Sequence, residues 1–567
     1  MGKFLLGFLI GMIFIVVLGV IVVIAAIRVG QGRPTVASNS ALILHLEGDI
    51  PEQAPVEVPL AFLENQQTIT VLDTWRMLRD AAADKRIKAL VLEPRDLTAG
   101  WGRLEELRSE IAEFRKSGKP VTAFLRGAGM HEYYVATAAD KIYMSPEDEL
   151  DVKGLRAELF YVKDTLGKLG INMEFEKIGR YKDAPDQFTR TSPTPETLEV
   201  TNDMLDQYYG DAVSVIAEGR KKQPSDVRAA IDQGPFVGEQ ALKLGLLDAL
   251  LYEDQMWGKL NSSLGTLTKI NEKSYSKAET PGQGTKIAFI TAEGDITRGG
   301  TNEDVSDTGI TTAQMLKTLR EVESDSSIKG AILRIDSPGG DGIASDDILH
   351  EAKVLSQKKP TIISMSDVAA SGGYYIAMTG DPIVAYPNTI TGSIGVFYGR
   401  PDLKGFYDKI GLKETILSRG QFADIDALNG PLTEAQKKKL YDAIAIFYKD
   451  FVERVAAARK RDFAQIDSLG QGRVWLGEQA KHNGLVDDLG GLDRAVEMVK
   501  QRAKIGAAEK ITLVTYPPKK TVFDLLFKSS TESEVESRIR ALVGNVPIRS
   551  LVHGGMLRLM PFTVTVK

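Results

Sequence analysis

The longest apolar run lies near the amino terminus. Residues 4–27, FLLGFLIGMIFIVVLGVIVVIAAI, carry no charge, and as a helix they would rise about 36 Å, enough to cross a bilayer. The pattern predicts an uncleaved transmembrane helix. A cleaved signal peptide usually has an apolar region of only about 7 to 15 residues closed by a small-x-small site. Lys3 faces Arg28 and Arg33 across the run, so flanking charge sets the orientation only weakly. No second run of spanning length follows, and the remaining chain is expected on one side of the membrane.

Past a polar linker, short apolar runs alternate with amphipathic stretches. ALILHLEGDI (41–50) reads as a buried strand entering a turn, and KIAFITAEGDI (286–296) reads the same way. Further on, AILRI, ASDDILHEAKVLSQ, PTIISMS and a helix opening at Ser371 follow one another. Such βαβ alternation implies a mainly parallel sheet covered by helices.

The pattern also repeats. MLRDAAADKRIKALVLE (77–93) matches TLREVESDSSIKGAILR (318–334), and EYYVATAADKIYMSP (132–146) matches GYYIAMTGDPIVAYP (373–387), both at an offset of 241. VGEQALKLGLLD (237–248) matches LGEQAKHNGLVD (476–487) at an offset of 239. So small a drift indicates duplication. The expected organisation is an anchor and linker over 1–39, an amino-terminal α/β repeat over 40–270, a turn-rich linker over 271–285, a carboxy-terminal α/β repeat over 286–500, and an extension over 501–567. The extension has no visible counterpart in the first half; it could cover a sheet edge or serve assembly.

Composition narrows the function. At 567 residues the chain is too long for one core. Hydrophobic content of 43% and charged content of 26% exclude wholesale disorder, and a net charge of −6 gives no electrostatic case for nucleic acid. With no cysteines, disulfides, thiolate nucleophiles and Cys-type metal sites are excluded.

The two repeats differ in reactive residues. In DVAASGGYYIAMTGD (367–381), Ser371 opens a helix and is followed by two glycines, which leaves its hydroxyl accessible and the following N–H groups directed at whatever it attacks. Ser371 aligns with Met130. The loop SPGGDG (337–342) aligns with DLTAGW, setting Gly340 against Ala99, and Ser393 in TITGSIGV (389–396) aligns with Val152. In the opposite direction, IGRYKDA (178–184) aligns with RGQFADI (419–425): Gly179 and Asp183 are matched by Gly420 and Asp424, while Lys182 becomes Ala423. The nucleophile candidate thus stands in one half and the matching base candidate in the other.

A serine needs a base to take its proton. Five histidines are present, at 45, 131, 350, 482 and 553; His45 falls in a strand, His482 at a helix end, and His350, in the helix after the glycine loop, stays open as an alternative base. A neutral lysine does the same work when burial disfavours its charged form, and Lys182 is the better candidate. SPGG after a parallel strand occupies the usual ligand position in α/β sheets, where the Gly340 and Gly372 amides would suit an oxyanion. Ser393 is placed to orient the lysine.

Together SPGG, AASGGYY, TGSIGV and the first-half G-x-YK resemble the signal peptide peptidase A (protease IV) family in its long duplicated bacterial form. The resemblance covers the chain from the anchor to about residue 500, with drift in VLEPRDLTAGWGRLEEL. It implies an α/β fold built as a tandem repeat of two crotonase-like/Clp-protease-like lobes with an N-terminal transmembrane helix. It also implies a Ser-Lys dyad of Ser371 and Lys182, oxyanion donors Gly340 and Gly372, a lysine-orienting Ser393, and no cofactor or metal. Remnant signal peptides and other short apolar peptides would be the substrates. The implied assembly is a homotetramer held at the bacterial cytoplasmic membrane with the catalytic body outside the cytoplasm, and no nucleic-acid partner. Two other classes share the pattern in part: a crotonase-type acyl-CoA enzyme, which needs oxyanion amides but no serine, and a non-catalytic membrane scaffold, which has no reason to keep the complementary pair.

Overall fold

A computed structural model describes residues 34–53, 69–278, 284–299, 309–518, 555–559 and 565–566. Among them no helix is long and apolar enough to cross a membrane; the span expected over 4–27 lies outside the described residues.

Each half builds a main sheet from its apolar runs. In the first, the strands Ala249–Leu250, Lys141–Met144, Val121–Leu125, Ile87–Leu97, Ser40–Gly48 and Thr268–Asn271 lie side by side in that order, with every pairing parallel. The second runs Val474–Leu476, Ile390–Gly392, Thr361–Ala370, Ile328–Ser337, Thr285–Glu293, Ile511–Tyr516, parallel except between its first two strands. Central strands such as Val121–Leu125 are buried at every position, as parallel strands covered on both faces must be. One large apolar cluster fills each half. A third, in which Leu72 and Trp75 meet Phe289, Ile332 and Leu492, joins the two.

The duplication extends to the helix caps. Pro195–Arg220 and Glu434–Arg459 are both 26 residues long, start at the threonine caps Thr194 and Thr433, and stop at Lys221 and Lys460 with φ of +53° and +55°. The extension departs from its sequence reading in one respect. Ile511–Tyr516 pairs in parallel with Thr285–Glu293, as Thr268–Asn271 does with Ser40–Gly48 in the other half. So short a strand, held by backbone pairing and half-exposed side chains, leaves little sequence trace of its repeat partner.

A further sheet crosses from one half to the other. Its order is Ile310–Thr311, Ile296–Thr297, Gly339–Asp341, Gly555–Leu559, Val396–Asp402, Asn172–Ile178. The last two strands pair antiparallel from Val396 opposite Ile178 to Asp402 opposite Asn172. A first-half strand is thereby fixed against the second half, and the loop that follows it is delivered there.

Candidate active site

That loop carries Lys182. It docks through Tyr181 N–H, which donates to the Gln471 carbonyl at 2.8 Å, and is tightened by a Lys182 N–H to Gly179 carbonyl turn of 3.1 Å. Gly472 lies directly against it. At φ +78°, a Cβ on Gly472 would stand 2.5 Å from the Lys182 nitrogen and 2.6 Å from its Cβ, so only glycine lets the two backbones approach this closely.

Ser371 stands where the strand Thr361–Ala370 turns into the short helix Gly372–Ile376, at φ +54° and ψ −114°. Non-glycine residues rarely adopt such a backbone, which costs on the order of 1–3 kcal/mol; a sharp strand-to-helix turn of this kind thrusts a serine Oγ clear of the backbone. The turn is held by Ser371 N–H donating to the Gly392 carbonyl and by Tyr375 N–H donating to the Ser371 carbonyl, both at 2.8 Å. Tyr374 and Tyr375 lock the helix, the first onto the Leu485 carbonyl and the second onto Asp346 and Asp450, each at 2.7 Å.

These elements bring the two side chains together within one chain. Lys182 Nζ lies within hydrogen-bond reach of Ser371 Oγ at 2.9 Å, of Ser393 Oγ at 2.9 Å and of the Ser393 carbonyl at 3.2 Å. All three residues are fully buried. Ser393, at φ +51°, is set by its own N–H donating to the Arg473 carbonyl. His350 is exposed on the helix Gly342–Lys358, and His45 bonds Glu272 at 2.8 Å; His553 lies outside the described residues.

The glycine loop closes the other side. Ser337 Oγ donates to the Gly294 carbonyl and accepts from Gly339 N–H. Gly340 sits at φ +154° with so little room that a Cβ would fall 2.0 Å from the Ile296 carbonyl oxygen. A Cβ on Gly372 would stand 3.1 Å from the Gly340 nitrogen. The Gly340 and Gly372 backbones therefore lie against each other beside Ser371.

Sequence reasoning missed the support behind Ser371. Asp367, four residues upstream, accepts from Gly100 N–H at 3.0 Å and Arg103 N–H at 2.7 Å, receiving the start of the helix Trp101–Arg115 as a carboxylate favourably does. The first-half passage that drifted from the glycine loop thus became a dock for the serine strand. Arg103 is buried among Asp49, Glu293, Asp336 and Asp367. Loss of hydration, countered by Arg103, holds the Asp367 carboxyl above its ordinary range, and burial beside Asp336 raises that of Glu293 to about 7. Deeper in, Arg334 bonds Glu52 at 2.7 Å and faces Glu106 at 3.3 Å. The one available signal was an aspartate inside the otherwise uncharged TIISMSDVAA.

Beside Lys182, Asp183 is pushed up to about 6, chiefly by burial, and accepts from Thr197. Its repeat counterpart Asp424 accepts from Gln436 Nε2 at 2.9 Å, so this aspartate supports the loop in both halves.

The family model described as Peptidase family S49 matches residues 113–266 and again 353–506. Serine protease SPPA, chloroplastic, of Arabidopsis thaliana is 34% identical over 491 residues, spanning 84% of this chain and 72% of the relative. Protease 4 of Salmonella typhi is 32% identical over 551 residues, spanning 92% and 87%. Protease 4 of Haemophilus influenzae is 30% identical over 525 residues, spanning 86% and 83%. Among solved structures, a ClpP1 mutant from Listeria monocytogenes covers 37% of this chain and 94% of its own at 16% identity, with a TM-score of 0.25. With the family model matched twice and relatives aligned over most of both chains, this chain belongs to peptidase family S49, as a serine protease.

Proposed function

We propose that the chain is a membrane-anchored endopeptidase that cuts remnant signal peptides and other short apolar peptides with a Ser371–Lys182 dyad. The observation that carries this reading is the 2.9 Å contact between Lys182 Nζ and Ser371 Oγ, both out of water and donated by opposite halves. Lys182 in its neutral form accepts the Ser371 proton as Oγ attacks the peptide carbonyl, and the Gly340 and Gly372 N–H groups stabilise the oxyanion. Collapse breaks the C–N bond; the leaving amine takes the proton from Lys182, leaving an acyl-serine. Water, deprotonated by the same amine, attacks the ester carbonyl, and the proton returns to Ser371 Oγ as the acid product departs. Ser393 keeps the amine aimed at Ser371.

The anchor is assigned to residues 4–27, at the bacterial cytoplasmic membrane with the catalytic body outside, and the assembly to a homotetramer. Supporting a second copy, Ile416 and Leu417 are exposed where the repeat offset puts the counterpart of the cross-half strand Asn172–Ile178, a position that strand fills by pairing with the other half. The test is hydrolysis of a synthetic apolar signal-sequence peptide by the detergent-solubilised full chain, with products read by mass spectrometry. Cleavage by wild type and none by Ser371→Ala or Lys182→Ala is expected; cleavage by a pure, folded Ser371→Ala chain would overturn the assignment.

A further inference from the structure

The strand Gly555–Leu559 occupies a telling place. It runs antiparallel to Gly339–Asp341 on one side, with Gly339 opposite Leu559, Gly340 opposite Arg558 and Asp341 opposite Leu557. On its other side it runs antiparallel to Val396–Asp402, with Phe397 opposite Leu557, Tyr398 opposite Met556 and Gly399 opposite Gly555. Among the described residues its two neighbours are joined only through it. At about 4.8 Å per strand spacing they stand roughly 10 Å apart, which leaves a slot one strand wide.

One wall of that slot is the glycine loop itself. Gly340, assigned to the oxyanion, is the residue directly opposite Arg558, and the Gly372 position beside Ser371 abuts the Gly340 nitrogen. An extended peptide that offers a carbonyl to Gly340 N–H and Ser371 Oγ must add as a strand along this same edge. Tail and substrate therefore exclude each other.

A second pairing ties the tail down. Thr565–Val566 runs antiparallel to Ala157–Glu158, with Val566 opposite Ala157 and Thr565 opposite Glu158. The offset of 241 makes Ala157 and Glu158 the counterparts of Tyr398 and Gly399, the residues partnered by Met556 and Gly555. The tail thus adds to equivalent edges of both halves. Its sequence, GMLRLMPFTVTVK, has the apolar character assigned to substrates.

We propose that Gly555–Leu559 is an intramolecular competitor for the peptide cleft, so that the full chain works against its own carboxy terminus. This rests on the dyad reading above. Tethering supplies the strand at an effective concentration on the order of millimolar; a strand whose untethered dissociation constant is about a tenth of that value raises the apparent KM about tenfold.

The test compares three forms on one short apolar peptide: the full chain, with its intact mass showing the tail present; a chain ending at Gly554; and the full chain carrying Leu557→Pro, which removes an N–H from the strand. Both variants should show KM lowered about tenfold with kcat unchanged, and a synthetic peptide of residues 553–564 should inhibit the shortened chain competitively. Equal kcat/KM in all three forms, with no inhibition by the peptide, overturns the competitor while leaving the peptidase standing. Inertness of every form overturns both.

Discussion

Ser393 offers a clean separation of chemistry from folding. Lys182 Nζ has the Ser393 hydroxyl at 2.9 Å and the Ser393 carbonyl at 3.2 Å besides Ser371. Replacing Ser393 by Gly removes the hydroxyl and keeps the carbonyl. A buried hydrogen bond between neutral groups contributes about 0.5–1.5 kcal/mol, and a donor left unpartnered costs about 1–3 kcal/mol. If the bond steadies the amine in the transition state, a loss of about 1–2 kcal/mol lowers kcat/KM by roughly 5- to 30-fold. Stability should change little beyond the loss of that bond. At φ +51°, glycine relieves a left-handed strain of about 1–2 kcal/mol while adding about 0.5–1 kcal/mol of unfolded-chain entropy. Ser393→Ala keeps the strain and should match the glycine variant in activity but melt a few degrees lower. Peptide hydrolysis and calorimetry on both variants decide it. A fully active, folded Ser393→Gly chain would refute the view that this hydroxyl aims the lysine.

Three further outcomes follow from the same geometry. Gly472→Ala should push the Lys182 backbone from its seat, since the added Cβ would lie 2.5 Å from the Lys182 nitrogen; a displacement near 1 Å costs about 100-fold in kcat, whereas unchanged kcat with the fold intact would contradict the packing argument. Arg103→Met leaves Asp336, Asp367 and Glu293 without their shared cation and should destabilise the junction between halves by about 3–5 kcal/mol, seen as a lower first melting transition; an unaltered melt would count against a junction built on this residue. Asp183, raised from 3.8 to about 6 by burial, binds its proton more tightly folded than unfolded. Its favourable contribution is full below pH 4 and is lost as pH rises through 6. Asp183→Asn should therefore gain up to about 3 kcal/mol over wild type at pH 7.5 and nothing at pH 4; equal melting at both pH values would show that this carboxyl does not titrate as described.

Much of the architecture could be read from the chain because the parallel strands are buried on both faces and so appear as unbroken apolar runs, and because the duplication prints each element twice. Lys182 became visible only through the repeat, as a charge where the second half carries Ala423; nothing in GRYKDA by itself separates a buried base from a solvated lysine. The cross-half pairing of Asn172–Ile178 with Val396–Asp402 was hidden because NMEFEKI alternates as any half-exposed strand does, and alternation names no partner. Arg103 and Asp367 escaped because a charge within a helix start or a strand reads as a surface residue until its counterion, more than 260 positions away in sequence, is brought beside it. The strand Gly555–Leu559 has no counterpart in the first half to flag it, and its role depends on the slot it enters rather than on any motif.

The central claim is that the Lys182 amine deprotonates Ser371. The most direct measurement is the rate at which a fluorophosphonate acylates Ser371, followed against pH for wild type and for Lys182→Ala, with melting temperatures taken alongside. Wild-type labelling should fall about tenfold per pH unit below the pH at which the lysine takes up its proton. The variant should label about 100- to 10,000-fold more slowly, with no such pH dependence and an intact fold. Ser371 labelled at the wild-type rate in a folded Lys182→Ala chain would contradict the account.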